Sequence, residues 1–101
     1  MMQHADNSAE VLRIVFEEDA NRSAAYIGGE HAGECEVSID GDIWTITHTG
    51  VRPEYGGRGI AKLLVRKVIE TARAKRAKIV PQCSYAAKMM ADKEEFADVL
   101  A

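Results

Sequence analysis

Apolar and polar residues alternate most cleanly over positions 34–39, where Cys35, Val37 and Ile39 fall on one side and Glu34, Glu36 and Ser38 on the other. A period of two marks a strand with one buried face. Asp40-Gly41 follows, a dipeptide suited to the positive φ angles of a tight hairpin. The return segment, residues 42–49 (DIWTITHT), is β-branched and apolar on both faces, which predicts a central strand covered on each side. Two weaker strand signals come earlier. Residues 11–16 form a short apolar run before the acidic cluster Glu17, Glu18 and Asp19, and read as a strand or a docked extended segment. Residues 23–27 (SAAYI) give a second strand, ended by Gly28-Gly29.

The period changes after Pro53, which removes a ladder donor and stops the strand. Ile60, Leu64, Val68 and Ala72, with Ala61, Leu63, Val65 and Ile69 beside them, recur at helical spacing, and Lys62, Arg66, Lys67, Glu70 and Arg73 fall largely on the other side. Residues 77–80 predict a short strand closed by Pro81, and Ser84 would cap a last helix running from Tyr85 to about Leu100. In this order the elements predict a mixed α/β fold: antiparallel hairpin strands, one β-α-β crossover and a C-terminal helix.

Composition narrows the class without naming a function. A chain of 101 residues has room for one domain, with residues 1–10 read as a flexible polar tail and residues 11–101 as the folded unit. No apolar run is long enough to span a membrane. The first ten residues carry neither the basic nor the apolar region of a secretory signal, which predicts a cytoplasmic protein. Cys35 and Cys83 stand 48 positions apart with no CxxC, so free thiols are expected and neither a disulfide nor a zinc site. His4 and His31 lack ligand spacing, and no metal is expected. The net charge of −3 conceals an asymmetry: residues 58–78 hold eight basic side chains against the single acid Glu70, while the remainder is strongly acidic. A positive segment on an acidic body is either a site for an anionic ligand or a solvated helix face.

The glycine turn between strand and basic helix favours the first. Backbone N–H groups at a helix start lack partners and point outward, and glycines let phosphate oxygens approach them. Gly56-Gly57-Arg58-Gly59-Ile60-Ala61 therefore reads as an anion site. It is not a Walker A loop, which needs Gly-x4-Gly-Lys-Ser/Thr. Nor is it the dinucleotide fingerprint, because Lys62 stands where the third glycine belongs.

Residues 51–65 (VRPEYGGRGIAKLLV) resemble the coenzyme A binding segment of the GNAT acetyltransferase superfamily, whose pattern is Gln/Arg-x-x-Gly-x-Gly/Ala. Gly59 and Ala61 match, and Gly56 replaces the Gln or Arg. His48-Thr49 before the turn and Pro81-Gln82-Cys83-Ser84-Tyr85 after the helix are similar to a subgroup of very small GNAT-like proteins. The resemblance covers roughly residues 13–100. It implies a compact GNAT fold that binds acetyl-coenzyme A in the splay between the strand of residues 44–51 and that of residues 77–82. The pantetheine arm would pair with the backbone of Thr49, Gly50 and Val51. The pyrophosphate would rest on the amides of Gly57, Arg58, Gly59, Ile60 and Ala61, with Arg58 and Lys62 reaching phosphates at the rim.

Acetyl transfer needs a deprotonated amine, a polarised thioester carbonyl and a proton for the departing thiolate. Cys83, before a predicted helix start that would favour the thiolate, is either a covalent acetyl carrier or a buried hydrophobe. His48 is either the base or a structural histidine bonded to backbone. Tyr85 is either the acid for the leaving thiolate, a common role for tyrosine in the superfamily, or a packing residue. Cys35 reads as a core thiol. The leading function is an acetyl-coenzyme A dependent N-acetyltransferase acting on a small amine, a protein lysine or an N-terminus. The second is a coenzyme A binding module without catalysis. Nucleic-acid binding is set aside, because the basic helix lacks interleaved aromatics and the body is acidic. Monomer and homodimer both stay open.

Overall fold

The computed structural model describes residues 11–91 and 93–101. The expected tail, residues 1–10, lies outside the described residues. Five strands form one sheet in the order β1-β2-β3-β4-β5: β1 is Leu12–Glu17, β2 Arg22–Ile27, β3 Glu30–Asp40, β4 Ile43–Val51 and β5 Lys78–Pro81. The first four are antiparallel neighbours, whereas β5 lies parallel to β4. Helix α1, Ile60–Ala74, makes the crossover between them, and α2, Ser84–Met90, follows β5. The predicted mixed α/β arrangement is thus present.

The helix pattern read from the sequence is the packing pattern. Ile60, Leu64, Val65, Val68, Ile69 and Ala72 are the buried residues of α1. They share one core with Ala25, Ile27, Cys35, Val37, Trp44, Ile46 and Ile79 from the sheet. Burying each large aliphatic side chain contributes about 1.5–3 kcal/mol. Ser23, the one buried polar residue among the described residues, donates its hydroxyl to the Leu64 carbonyl at 2.8 Å.

The β3–β4 hairpin closes through Gly41-Asp42, and the positive φ falls on Gly41 (+63°), not on Asp40. β4 pairs along both edges, as a central strand does, but it is covered on one face only: Trp44 and Ile46 are buried, while Thr47 and His48 are exposed. The outward turn of His48 comes from a β-bulge. Val37 pairs with Ile46 and Glu36 with His48, so Thr47 is one residue too many for the ladder. Without that insertion His48 would follow Trp44 and Ile46 into the core. With it, His48 turns outward, and Thr49 takes the inward place opposite Cys35.

The C-terminal helix is shorter than its apolar spacing predicts. It ends at Met90, Ala91 is extended (φ −63°, ψ 133°), and Glu94–Phe96 forms only a 3-10 turn. The free edge of β5 captures the chain instead: Ile79 N–H donates to the Val99 carbonyl and Ala101 N–H to the Ile79 carbonyl, at 2.6 and 2.9 Å. Phe96 and Val99 are thereby buried. Tertiary pairing with an unfilled edge outweighs local helix propensity here.

Candidate active site

The strands that frame the site part company. β4 and β5 pair only from Ile43↔Lys78 to Ile46↔Pro81. Beyond that point Gln82 and Cys83 both donate their N–H groups to the Ile46 carbonyl, at 3.1 and 2.9 Å, which turns the chain away from β4. From Thr47 onward β4 has β3 on one edge and, among the described residues, no strand on the other. Thr49, Gly50 and Val51 lie along this parted edge, where an amide-bearing chain such as pantetheine would find strand-like partners.

β4 then leads into a 3-10 turn, Pro53–Tyr55, and the glycine turn. Gly57 and Gly59 both have φ +78°, a conformation that favours glycine, and a Cβ added at either would meet nothing within 4 Å. The space over the turn is therefore open. The Ile60 side chain is buried and anchors the start of α1, while the N–H groups of Ile60, Ala61 and Lys62 have no intrahelical acceptor. This cradle fits a phosphate. Arg58 lies with its guanidinium 5.4 Å from the Tyr55 ring centre, and the Tyr55 hydroxyl donates to Glu30 Oε1 at 3.3 Å. Burial, and then the Glu30 carboxylate, hold the Tyr55 phenol above its ordinary pKa.

Much of the remaining basic segment faces acids of the chain itself. Arg73 pairs with Asp98 (2.7 Å), Arg66 with Glu95 (3.3 Å) and Lys75 with Glu18 (3.3 Å), and Lys78 Nζ donates to the Asp98 carbonyl. Those four side chains are thus turned to the chain's own acids and carbonyls, and Arg58 and Lys62 are the basic residues nearest the glycine turn in sequence.

Cys83, half-buried, caps α2: its Sγ accepts from the Ala86 N–H at 3.3 Å. The hydroxyl of Thr49 lies 3.4 Å from Cys83 Sγ and 3.5 Å from Cys35 Sγ, so it links the two thiols. Burial pushes the Cys35 thiol up to about 11, against the lowering effect of the Thr49 hydrogen bond. Cys35 is a fully buried core thiol, as its alternation with Val37 implies. Tyr85 is 41% exposed in the first turn of α2.

His48 faces the other way. Its Nε2 is 2.8 Å from Glu34 Oε2, and Glu34 Oε1 lies 3.3 Å from His31 Nε2. The fold therefore gathers Cys83 and Thr49 at the parting of β4 and β5, with the glycine cradle at the end of the same strand. It sets His48 on the opposite face. Glu34 and Tyr55 were not legible as partners from sequence. Glu34 reads only as the polar side of an alternating strand, and it meets His48 because β3 and β4 align Glu34 with Gly50.

A parallel β4–β5 pair thus parts beside a glycine turn and a helix start. Residues 22–99 match the GCN5-related N-acetyl-transferase family. The chain belongs to that family and is an acetyl-coenzyme A dependent N-acetyltransferase. Its structure is similar to the solution structure of a GCN5-like protein from Staphylococcus aureus, with a TM-score of 0.68, 29% identity, and coverage of 93% of this chain and 90% of that one. It also resembles a GCN5-related N-acetyltransferase from Kribbella flavida (TM-score 0.57, 24% identity, 73% of this chain and 22% of that one). A third likeness is to N-acetylglutamate synthase from Neisseria gonorrhoeae, solved with coenzyme A and N-acetyl-glutamate (TM-score 0.54, 17% identity, 77% and 22%). The last two show the fold alone. No sequence match was found among curated proteins. No helix among the described residues is long and apolar enough to cross a membrane, and no cluster among them has the make-up of a metal site.

Proposed function

We propose that the chain transfers an acetyl group to an amine, a small molecule, a protein lysine or an N-terminus, by way of Cys83. The observation that carries this is the placement of Cys83 Sγ where β4 and β5 part, held by Thr49 and by the Ala86 N–H. The sulfur of Cys83, as thiolate, attacks the thioester carbonyl. The acetyl group passes to Cys83, and coenzyme A leaves as its thiol after protonation, with Tyr85 the nearest phenol in sequence to serve as acid. The incoming amine then attacks acetyl-Cys83, forms the amide and restores the Cys83 thiolate, while His48, on the other face of β4, receives the amine proton through intervening water and solvent returns a proton to Tyr85. Thr49, Gly50 and Val51 hold pantetheine. The cradle of Gly56, Gly57, Arg58, Gly59, Ile60, Ala61 and Lys62 holds the phosphates.

The His-Thr pair, the Gly-x-Gly-Ile-Ala turn and Pro-Gln-Cys-Ser-Tyr support placing the chain in the subgroup of very small GNAT-like proteins. We read residues 11–101 as one catalytic domain working in the cytoplasm. The test is intact-mass measurement after incubation with acetyl-coenzyme A, followed by an amine screen read by thiol release. A single acetyl adduct, absent in Cys83→Ser, is expected. Turnover in Cys83→Ser at the wild-type rate would remove the covalent route and leave direct transfer. Cofactor binding with no turnover over a broad amine panel would make the chain a coenzyme A binding module.

A further inference from the structure

Glu34 and His48 come from different strands, 14 residues apart, and meet at 2.8 Å. The space they meet in is made by a missing side chain. A Cβ on Gly50 would stand 2.9 Å from His48 Nε2, 3.1 Å from His48 Cε1 and 3.2 Å from Glu34 Oε2. The imidazole and the carboxylate thus close over Gly50, the cross-strand partner of Glu34. On the neighbouring pair, a Cβ on Gly33 would lie 2.6 Å from the Gly50 carbonyl, so β3 can approach β4 this closely only with glycine there. An exposed histidine–carboxylate pair adds little to stability, and a glycine inside a strand weakens it. Folding alone gives no reason for this arrangement.

Its chemical consequence concerns the two ring nitrogens. An ionised carboxylate only accepts hydrogen bonds, so the nitrogen facing it carries the hydrogen. The neutral His48 ring is then protonated at Nε2, and Nδ1 is its one bare nitrogen. The second oxygen of Glu34 faces His31, whose Nε2 is shut off from solvent and stands 3.3 Å away without hydrogen-bond geometry. His31 in turn meets the Tyr26 ring edge-on at 5.7 Å between centres. Glu34 is backed from behind and is 20% exposed, whereas the His48 side chain is 51% exposed and open to an incoming molecule.

We infer that Glu34 is the positioning residue for His48, fixing Nε2–H against its carboxylate so that Nδ1 is the nitrogen left to receive the acceptor amine's proton, relayed by water from the other face of β4. This rests on the reading of His48 as the base. On proton transfer Nδ1 gains the hydrogen, the imidazolium is paired with Glu34, and the proton then passes to water from the exposed ring. Glu34 itself touches no substrate.

Two measurements separate the inference from the reading beneath it. Long-range proton–nitrogen correlation spectra of the wild-type protein should show His48 Nε2 protonated and Nδ1 bare. In Glu34→Ala the two nitrogens should move toward the averaged values of a freely exchanging ring. A protonated Nδ1 in the neutral wild-type ring, or spectra unchanged in Glu34→Ala, would overturn the inference whatever the catalytic role of His48. Kinetics with acetyl-coenzyme A and a lysine-rich peptide as probe amine supply the second. Glu34→Ala should lower kcat about tenfold with KM for acetyl-coenzyme A unchanged, Glu34→Gln should recover most of it, and Glu34→Ala with His48→Gln should be no slower than His48→Gln alone. A loss in His48→Gln without one in Glu34→Ala overturns the inference and leaves the base intact. A rate indifferent to His48→Gln overturns both.

Discussion

Cys35 and Cys83 share one neighbour, the Thr49 hydroxyl, yet their surroundings differ. Cys35 has no exposed surface, and its thiol is pushed up to about 11, so at neutral pH it carries almost no thiolate. Cys83 is half-buried at the start of α2 and receives a backbone N–H. Iodoacetamide at neutral pH should therefore modify one thiol in the folded protein, Cys83, and a second only after denaturant exposes Cys35. Peptide mapping of the alkylated chain decides it: label on Cys35 under native conditions would show that the core opens at that strand. Saturating coenzyme A should slow labelling of Cys83, because the proposed cofactor channel runs past it.

At the scale of elements, the glycine turn offers a sharper contrast than its spelling suggests. Gly59 stands at φ +78° with open space around it, so Gly59→Ala meets no clash and suffers only backbone strain, about 1–2 kcal/mol. For a domain of this size each kcal/mol lowers Tm by about 4–8 °C. Gly56 has φ −65°, which any residue adopts, and an added Cβ would sit 3.3 Å from the Pro53 carbonyl. Gly56→Ala should accordingly leave Tm nearly unchanged. Thermal melts of the two variants test this, and calorimetry with coenzyme A should find the larger loss of affinity in Gly59→Ala, whose strain falls on the amides of the cradle. Equal melting temperatures would mean that the turn relaxes freely.

The same elements show what a sequence can disclose. The first hairpin strand and α1 were legible because each repeats one period, two residues over positions 34–39 and 3.6 along the helix, and the return strand because it is β-branched and apolar. The glycine turn was legible because its residues act through their own backbone. The bulge at Thr47 was not, since it exists only in the offset between β3 and β4, and nothing in DIWTITHT marks one residue as extra. That offset decides that His48 faces Glu34 and Thr49 faces the thiols. The C-terminal helix was overestimated for a related reason: its apolar residues do reach the core, but the edge of β5 draws them there in extended form.

For the whole molecule, the edge strand β1 is tied to the sheet by charge as well as by its ladder. Glu17 on β1 accepts from the Tyr26 hydroxyl and from Arg22, 2.8 Å away, both on β2. These two bonds, Tyr26 first, hold the Glu17 carboxyl below its ordinary 4.5, and the Glu17 bond holds the Tyr26 phenol above its ordinary 10. Asp98, bonded by Arg73, is likewise held below 3.8. The signs oppose one another. A lowered carboxyl stabilises the fold fully above its unfolded value, and that contribution is lost as pH falls through the lower folded value. A raised phenol stabilises fully below 10, and its contribution is lost as pH rises through the higher folded value. One hydrogen bond thus erodes at both extremes of pH, and both losses fall on β1. The groups are near the surface, so each effect is small and weakens with salt. Glu17→Gln should lower Tm at pH 7 but flatten its fall below pH 4.5 and above pH 10 together. Asp98→Asn should flatten the acid limb alone. Melts of the three proteins across that range at low salt give the answer, and a Glu17→Gln curve parallel to wild type at both ends would show that the β1–β2 ladder holds the edge without the charges.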